Sequence, residues 1–523
     1  AMGNLLDYWK IINEFDHICG GFIWEWCDHS LWNEKQQKYM YGGDFHDFPN
    51  SSNFCVDGVV TADRRCTPKY LETWSVYQYI QTRWKADSGE ILIKNSYFHS
   101  GLTPYYCMID ILENGNIVSS QKIENLEAEP GEEVSIRLEN LMDYSGECFV
   151  NLHFYSKDNF HGIRKDHCVA ASQHLIHENR MVQVQKRDEI NITPFEEENN
   201  FILSNEKNTK LIMDKKSGKV IFWIQNGIRF VDTNECASGE KLSISRAYTD
   251  NDLHSESYLM KTGWRDLNLA DMDSKIQEVK CYRNGIAVHR SYGNTYVGIH
   301  EYILYSMTDE GTLIKDMYIQ PYGTIRNLPR IGHELVLDTE LEKVEWYGRG
   351  PGENYPDRKN STLVGYYEGN VSDDEFYIFP QEYGSHQDVR WIKLTDGKRN
   401  QVYLSSNRLI AFSVRRETDR LLSEKLNISE LKQKKGAVLE LDYAVSGLGN
   451  ASCGTDVMEK YQVIPAPISI QVVYGSRRIN FEAIDLHDVF EIDDDLQIKG
   501  RCGVNESKYV DPSDAESRTK AGF

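Results

Sequence analysis

Gly20-Gly21-Phe22-Ile23-Trp24-Glu25-Trp26 is a short apolar run set between polar stretches. Such a run predicts a strand buried on both faces. Before it, Leu5, Tyr8, Trp9, Ile12 and Phe15 repeat with helical spacing. Asn4 stands where an N-cap belongs, and Asp7 in the first turn offsets the open amides. After the run, Asp28 to Arg65 is a long irregular segment rich in Gly, Asp, Asn and aromatics. Thr67-Pro68 then starts a second helix, with Leu71, Trp74, Tyr77 and Ile80 on one side. Helix, strand, long loop, helix is the end of a (β/α) barrel, and this piece cannot close a barrel alone.

Outward from that segment the period changes from helical to alternating. Ile91–Ile93, Tyr106–Leu112, Val134–Leu138 and Val150–Phe154 predict short strands, and Asn114-Gly115 predicts a tight hairpin turn. This stretch, to about residue 192, has the length and pattern of an immunoglobulin-like sandwich. Asn191 to Asn200 reads as a linker. From Phe201 to about Gly475 the chain is strand-rich, with hairpin turns at Lys216-Ser217-Gly218 and Asn226-Gly227. That predicts one large antiparallel sandwich. The remainder predicts a partly ordered acidic appendage and a flexible end.

The bulk numbers narrow the function. The 523 residues carry a net charge of −22 and a pI of about 5.2. Duplex phosphates and anionic membrane surfaces repel such a chain, so neither is an expected partner. No stretch is apolar for long enough to span a bilayer. The 11 cysteines include no CxxC pair, which argues against a zinc ribbon and for reduced thiols in the cytoplasm.

Six separated blocks carry a family resemblance. They are GGFIWEWCDHSLW (20–32), YGGDFHDFPNSSNFCVDGVVTADR (41–64), RAYTDND (246–252), WYGRGPGENYPDR (346–358), YIFPQEYGSHQDVRW (377–391) and SGLGNASCGTD (446–456). In order, they resemble the C-terminal portion of the large β-galactosidases of glycoside hydrolase family 2. The resemblance implies a mainly β chain: a partial (β/α)8 barrel end (1–84), an immunoglobulin-like β-sandwich (86–192), a large antiparallel β-supersandwich (200–476) and an appendage (477–523).

It also implies site residues. Trp24 matches the aromatic on which galactose packs, since an apolar sugar face desolvates well on an indole. The bland reading makes Trp24 and Trp26 barrel core. Phe54 and Asp57 match a sodium site beside the sugar, although the family shows Asn where this chain has Asp57. That carboxylate binds an ion, binds a sugar hydroxyl, or only braces its loop. Glu25 is expected to be a buried carboxylate paired to an Arg rather than a catalytic acid. Cys453 replaces a Trp found in some relatives and reads as a small buried thiol. GRGPGENYPDR lacks the strand–helix context of a nucleotide site and reads as a structural turn. His29, His46 and His386 show no metal spacing and read as loop or core histidines.

Retaining hydrolysis needs two carboxylates about 5 Å apart. In the family both come from strands preceding the residue that is Ala1 here, as do the magnesium ligands. The chain alone is therefore expected to lack hydrolytic activity. The galactoside is the expected substrate of the intact enzyme, with a homo-oligomer as the expected assembly. The alternatives are another glycoside, such as a glucuronide or mannoside, and a non-catalytic carbohydrate-binding or oligomerisation module.

Overall fold

The computed structural model describes residues 2–496 apart from 139–143, 161, 179–183, 235–238, 255–263, 265–266, 374–376, 432–435 and 451–454. Cys453 and the end of the chain after 496 thus lie outside the described residues.

Helix α1 (Leu5–Glu14) forms where the apolar spacing predicts it. Its start differs. Asn4 adopts left-handed backbone (φ 49°), and its side chain does not cap the helix. The reason is tertiary. Gly3 N donates to Gly449 O (2.8 Å) and Asn4 N to Asp357 O (2.6 Å), and the Asn4 amide turns to Met458 Sδ. Helix α2 (Pro68–Tyr77) has its expected Thr67 cap, accepting from Tyr70 N. Its buried face is not the apolar one. Lys69, Glu72, Ser75 and Val76 are buried, whereas Leu71 is exposed. Glu72 accepts from Asn360 Nδ2 (2.5 Å) and Ser361 N (3.0 Å), and Ser75 donates to Asn360 O. Buried polar groups are tolerated where they are paired, and the 358–361 loop pairs these.

Residues 20–26 form no strand. The run bends at Trp24 and Trp26, and Phe22 is fully exposed. A strand is defined by the neighbours that take up its backbone groups, and among the described residues the backbone of this run is bonded by Val59 N and Val60 N alone.

The immunoglobulin-like sandwich sets a three-stranded sheet (Ile80–Lys85, Glu90–Asn95, Glu133–Arg137) against a four-stranded one (Tyr105–Glu113, Asn116–Ile123, Cys148–Ser156, Cys168–His177). Ile91, Ile93, Ile109, Val150, Leu152 and Phe154 fill the space between them. Its first strand, Ile80–Lys85, falls before residue 86 and includes the Ile80 expected in the helix.

Phe195–Glu197 and Asn200–Ser204 open a five-stranded meander that runs to Asp232, so part of the expected linker is strand. The other sheet of the terminal sandwich has 12 strands. Its main path runs from Gly239–Ser243 through Arg330–Leu337, Ala437–Val445, Gln401–Arg415, Ile468–Gly475, Leu313–Tyr322, Gly298–Met307 and Gly285–Gly293 to Ser274–Tyr282. His386–Thr395, Lys343–Gly350 and Leu363–Gly369 branch from Gln401–Arg415. The two sheets share one apolar core. The architecture is mainly β, with a barrel end and β-sandwiches. The appendage packs as far as it is described: Leu486 and Phe490 are buried against Ala287, Tyr302 and Leu304. No helix among the described residues is long and apolar enough to cross a membrane.

Candidate functional site

The barrel end joins two loops through backbone bonds. Val59 N donates to Glu25 O, Val60 N to Trp26 O, Asp28 N to Val60 O and His29 N to Cys55 O, all at 2.7–3.0 Å. Asp28 Oδ1 accepts from Gly58 N (2.9 Å). The approach is close enough to require glycine. A Cβ on Gly58 would stand 2.2 Å from Asp28 N. The structure therefore brings the Trp24 segment and the Phe54–Asp57 loop together.

Trp24 is 84% exposed and Trp26 is 59% exposed, so neither is core in this chain. Phe54 lies in a 3-10 turn (Ser52–Cys55) with its side chain exposed. Asp57 is half-buried, and its buried Oδ1 has no hydrogen-bond partner among the described residues. An orphaned carboxylate oxygen fits a hard cation or a hydroxyl donor. Glu25 is half-buried and its partner is His29 (3.1 Å), not an Arg. An Arg partner was expected for a deeply buried charge, but here the carboxylate keeps access to water. His46 sits on an exposed turn. His386 is buried against Trp346. Among the described residues the group spaced for a metal is Glu334, Asp419 and Glu440, inside the terminal sandwich.

Sequence reasoning missed the polar seam behind these loops. Lys69 is buried beside Asp28, Asp57 and Asp250; burial draws its ammonium pKa down while the three carboxylates draw it up. Burial likewise pushes the Asp28 carboxyl up. Asn53 Nδ2 donates to Asp250 Oδ1 (2.6 Å), joining the loop to RAYTDND. Tyr41 Oη donates to Leu426 O, and Asn427 Nδ2 to Tyr39 O (2.9 Å). Asp7 accepts from Lys460 Nζ (2.6 Å) and Tyr461 Oη (2.8 Å).

The quoted motifs meet in one knot at the end of this seam. Arg246 holds Asp252 and the carbonyls of Ser446 and Gly447. Asp357 accepts from Leu448 N and Gly449 N. Its main chain, with Gly449 O, receives Gly3 and Asn4. GRGPGENYPDR is thus a structural turn, with Glu353 paired to Arg358 inside it.

Much of the barrel end is exposed. Nearly half of the large apolar side chains exposed among the described residues lie in the first 54. They include Tyr8, Ile11 and Phe15 of α1, then Phe22, Trp24 and Trp26. Exposed apolar side chains this frequent exceed the single, scattered ones of an ordinary exterior.

Three family models match along the chain. "Glycosyl hydrolases family 2, TIM barrel domain" covers residues 1–82, "Beta-galactosidase, domain 4" residues 91–177, and "Beta galactosidase small chain" residues 205–474. A beta-galactosidase of Priestia megaterium is 27% identical over 407 residues, covering 76% of this chain and 38% of that protein. One of Actinobacillus pleuropneumoniae is 26% identical over 493 residues, covering 90% of this chain and 46% of its own length. The chain therefore spans less than half the length of these relatives.

Proposed function

The chain belongs to the β-galactosidases of glycoside hydrolase family 2, matching their C-terminal portion, and on that footing we propose that it serves a retaining hydrolase of terminal β-D-galactosides. The observation that carries this reading is the exposed face of residues 1–54, with Trp24 uncovered and tied by backbone bonds to the Asp57 loop. On this reading the face receives the remaining barrel strands. Trp24 and Asp57 then form one wall of the sugar pocket. Trp24 offers the apolar platform, and Asp57 accepts a sugar hydroxyl.

A sodium ion fits the same corner. The Asp57 oxygen and the Phe54 carbonyl would supply part of its shell, with a further ligand from an earlier part of the barrel, and it would orient the sugar hydroxymethyl group. The nucleophile, the acid/base and the magnesium ligands belong to barrel strands outside this sequence, so the chain alone does not turn over. Its part is to close the barrel, wall the pocket, and carry the sandwiches that pack between subunits of a homo-oligomer. A cytoplasmic setting accords with the free thiols of the described cysteines.

The test is hydrolysis of a nitrophenyl β-galactoside by this chain, alone and after mixing with the preceding barrel strands of the same enzyme. Turnover only in the mixture supports the proposal. Turnover by the chain alone, well above buffer, overturns it.

A further inference from the structure

Two imidazoles meet on the strands Gly285–Gly293 and Gly298–Met307, in the sheet face that the appendage packs against. In the register His289 stands opposite Tyr302, and Ser291 opposite His300. The two histidines are therefore diagonal neighbours, and His289 Nε2 lies 2.8 Å from His300 Nδ1. Packing holds both rings. His289 stacks on Tyr302 at 4.1 Å, and His300 lies 5.0 Å from the Tyr322 ring. Both histidines are half-buried, so the pair keeps access to solvent. The next strand brings an orphaned oxygen. Gln320 stands opposite His300 and is 2% exposed. Its Nε2 donates to Asp493 O (2.8 Å), while its Oε1 has no hydrogen-bond partner among the described residues. A buried carbonyl oxygen without a donor is costly, and a missing water or ion is one way to account for it.

We propose that His289 and His300 chelate one copper(II) or nickel(II) ion. Imidazole nitrogen suits this class, whereas sodium, magnesium and calcium take oxygen. The spacing narrows the choice further. Two nitrogens at right angles on bonds of about 2.0 Å stand about 2.8 Å apart, while tetrahedral bonds would set them about 3.3 Å apart. The pair thus fits adjacent corners of a square or octahedral ion. The rings give up the hydrogen bond between them, and two nitrogen–metal bonds replace it. Water fills the remaining corners, and one such water gives Gln320 Oε1 its donor. The surrounding charge favours a cation. Glu278 and Asp493 act on the two rings. Lys280 is paired to Glu278, and His487, packed on Tyr318, is held between Asp485 and Asp494.

The full chain is titrated with nickel(II) chloride and followed by calorimetry. His289→Gln and His300→Gln are each expected to weaken the tightest site at least about tenfold, with the unfolding midpoint unchanged. His46→Gln, at an exposed position, leaves that site alone. Nickel-edge X-ray absorption on the natural protein is expected to count two imidazole nitrogens at about 2.0–2.1 Å from the ion. Where a histidine variant shifts the midpoint, that count decides. Fewer than two imidazoles, unchanged affinity in variants with the natural midpoint, or no binding at about 1 mM nickel overturns the proposal.

Discussion

Arg246→Met is the most informative single perturbation of the motif knot. Arg246 Nε and Nη2 bond the two oxygens of Asp252 at 2.9 and 2.8 Å. Nη1 bonds Ser446 O at 3.1 Å and Nη2 bonds Gly447 O at 3.0 Å. The two side chains are 0% and 1% exposed. Burial opposes the guanidinium charge, yet Asp252 outweighs it and lifts the pKa. Removing Arg246 strands a carboxylate with Thr249 N as its remaining hydrogen-bond donor in this set and frees two carbonyls. Breaking a buried pair costs about 3–5 kcal/mol. For a sandwich of this size that lowers its calorimetric transition by roughly 10 °C. Arg246→Met with Asp252→Leu removes both charges and is expected to recover most of the loss. A single-variant cost under about 1 kcal/mol, or a double variant as unstable as the single one, would refute the reasoning.

Gly3→Ala places a Cβ 2.0 Å from Asp357 Oδ2 and is expected to unseat the barrel end. Hydrogen exchange would show loss of protection over Leu5–Glu14, whereas Gly21→Ala, which meets nothing within 4 Å, leaves protection unchanged. A second expectation concerns pH. Burial pushes the Glu440 carboxyl up to about 8 and the Asp442 carboxyl up to about 7, against the pull of Arg330. Their ordinary values are 4.5 and 3.8. Folding therefore favours the protonated forms. Their contribution is whole below the ordinary values and is lost as pH rises through about 7 and 8. Glu440→Gln is expected to gain stability over the natural protein between about pH 5 and pH 9, and a gain independent of pH would contradict this. Trp24→Ala, at an 84% exposed site, is expected to leave the unfolding midpoint unchanged. In the assembled enzyme it weakens galactoside binding about tenfold, measured as KM.

Local backbone chemistry was legible in the sequence. Asn114-Gly115 and Asn226-Gly227 take φ of 51° and 86°, and of 48° and 84°. These are the paired left-handed angles that make such dipeptides hairpin turns. Thr67-Pro68 likewise starts a helix because a hydroxyl acceptor and a fixed φ act within one turn. What was not legible depends on distant partners. Leu71 and Trp74 look like the buried stripe of α2, but Glu72 and Ser75 are chosen instead by a loop some 285 positions away, and Lys69 by Asp28, Asp57 and Asp250. Asn4 is a cap by composition and a tether by contact. GGFIWEW reads as buried because its composition fits a barrel interior. In this chain its backbone has two residues to pair with and its rings face outward.

The motifs that carry the family resemblance do their work at a seam. Three glycines lie where chains press together. A Cβ would stand 2.0 Å from Asp357 at Gly3, 2.5 Å from Asp357 at Gly447 and 2.1 Å from Asn251 at Gly449. Asp357 is fully buried, and burial pushes its carboxyl up while Leu448 N and Gly449 N hold it down. A buried carboxylate held by two amides, with Arg358 and Arg246 acting on it only through their charge, costs more to bury than an apolar turn would. Stability alone therefore does not account for it. A fixed position does, because each bond sets one of the three segments against another. The terminal sandwich thereby orients the barrel end through Asn4 and through Asn53 beside Phe54. On the function proposed above, a galactoside pocket on the exposed surface of residues 1–54 would inherit its geometry from the domain that holds this knot. Substitutions at Asp357 or Asp250 should therefore act on sugar affinity through position, without either carboxylate touching the sugar.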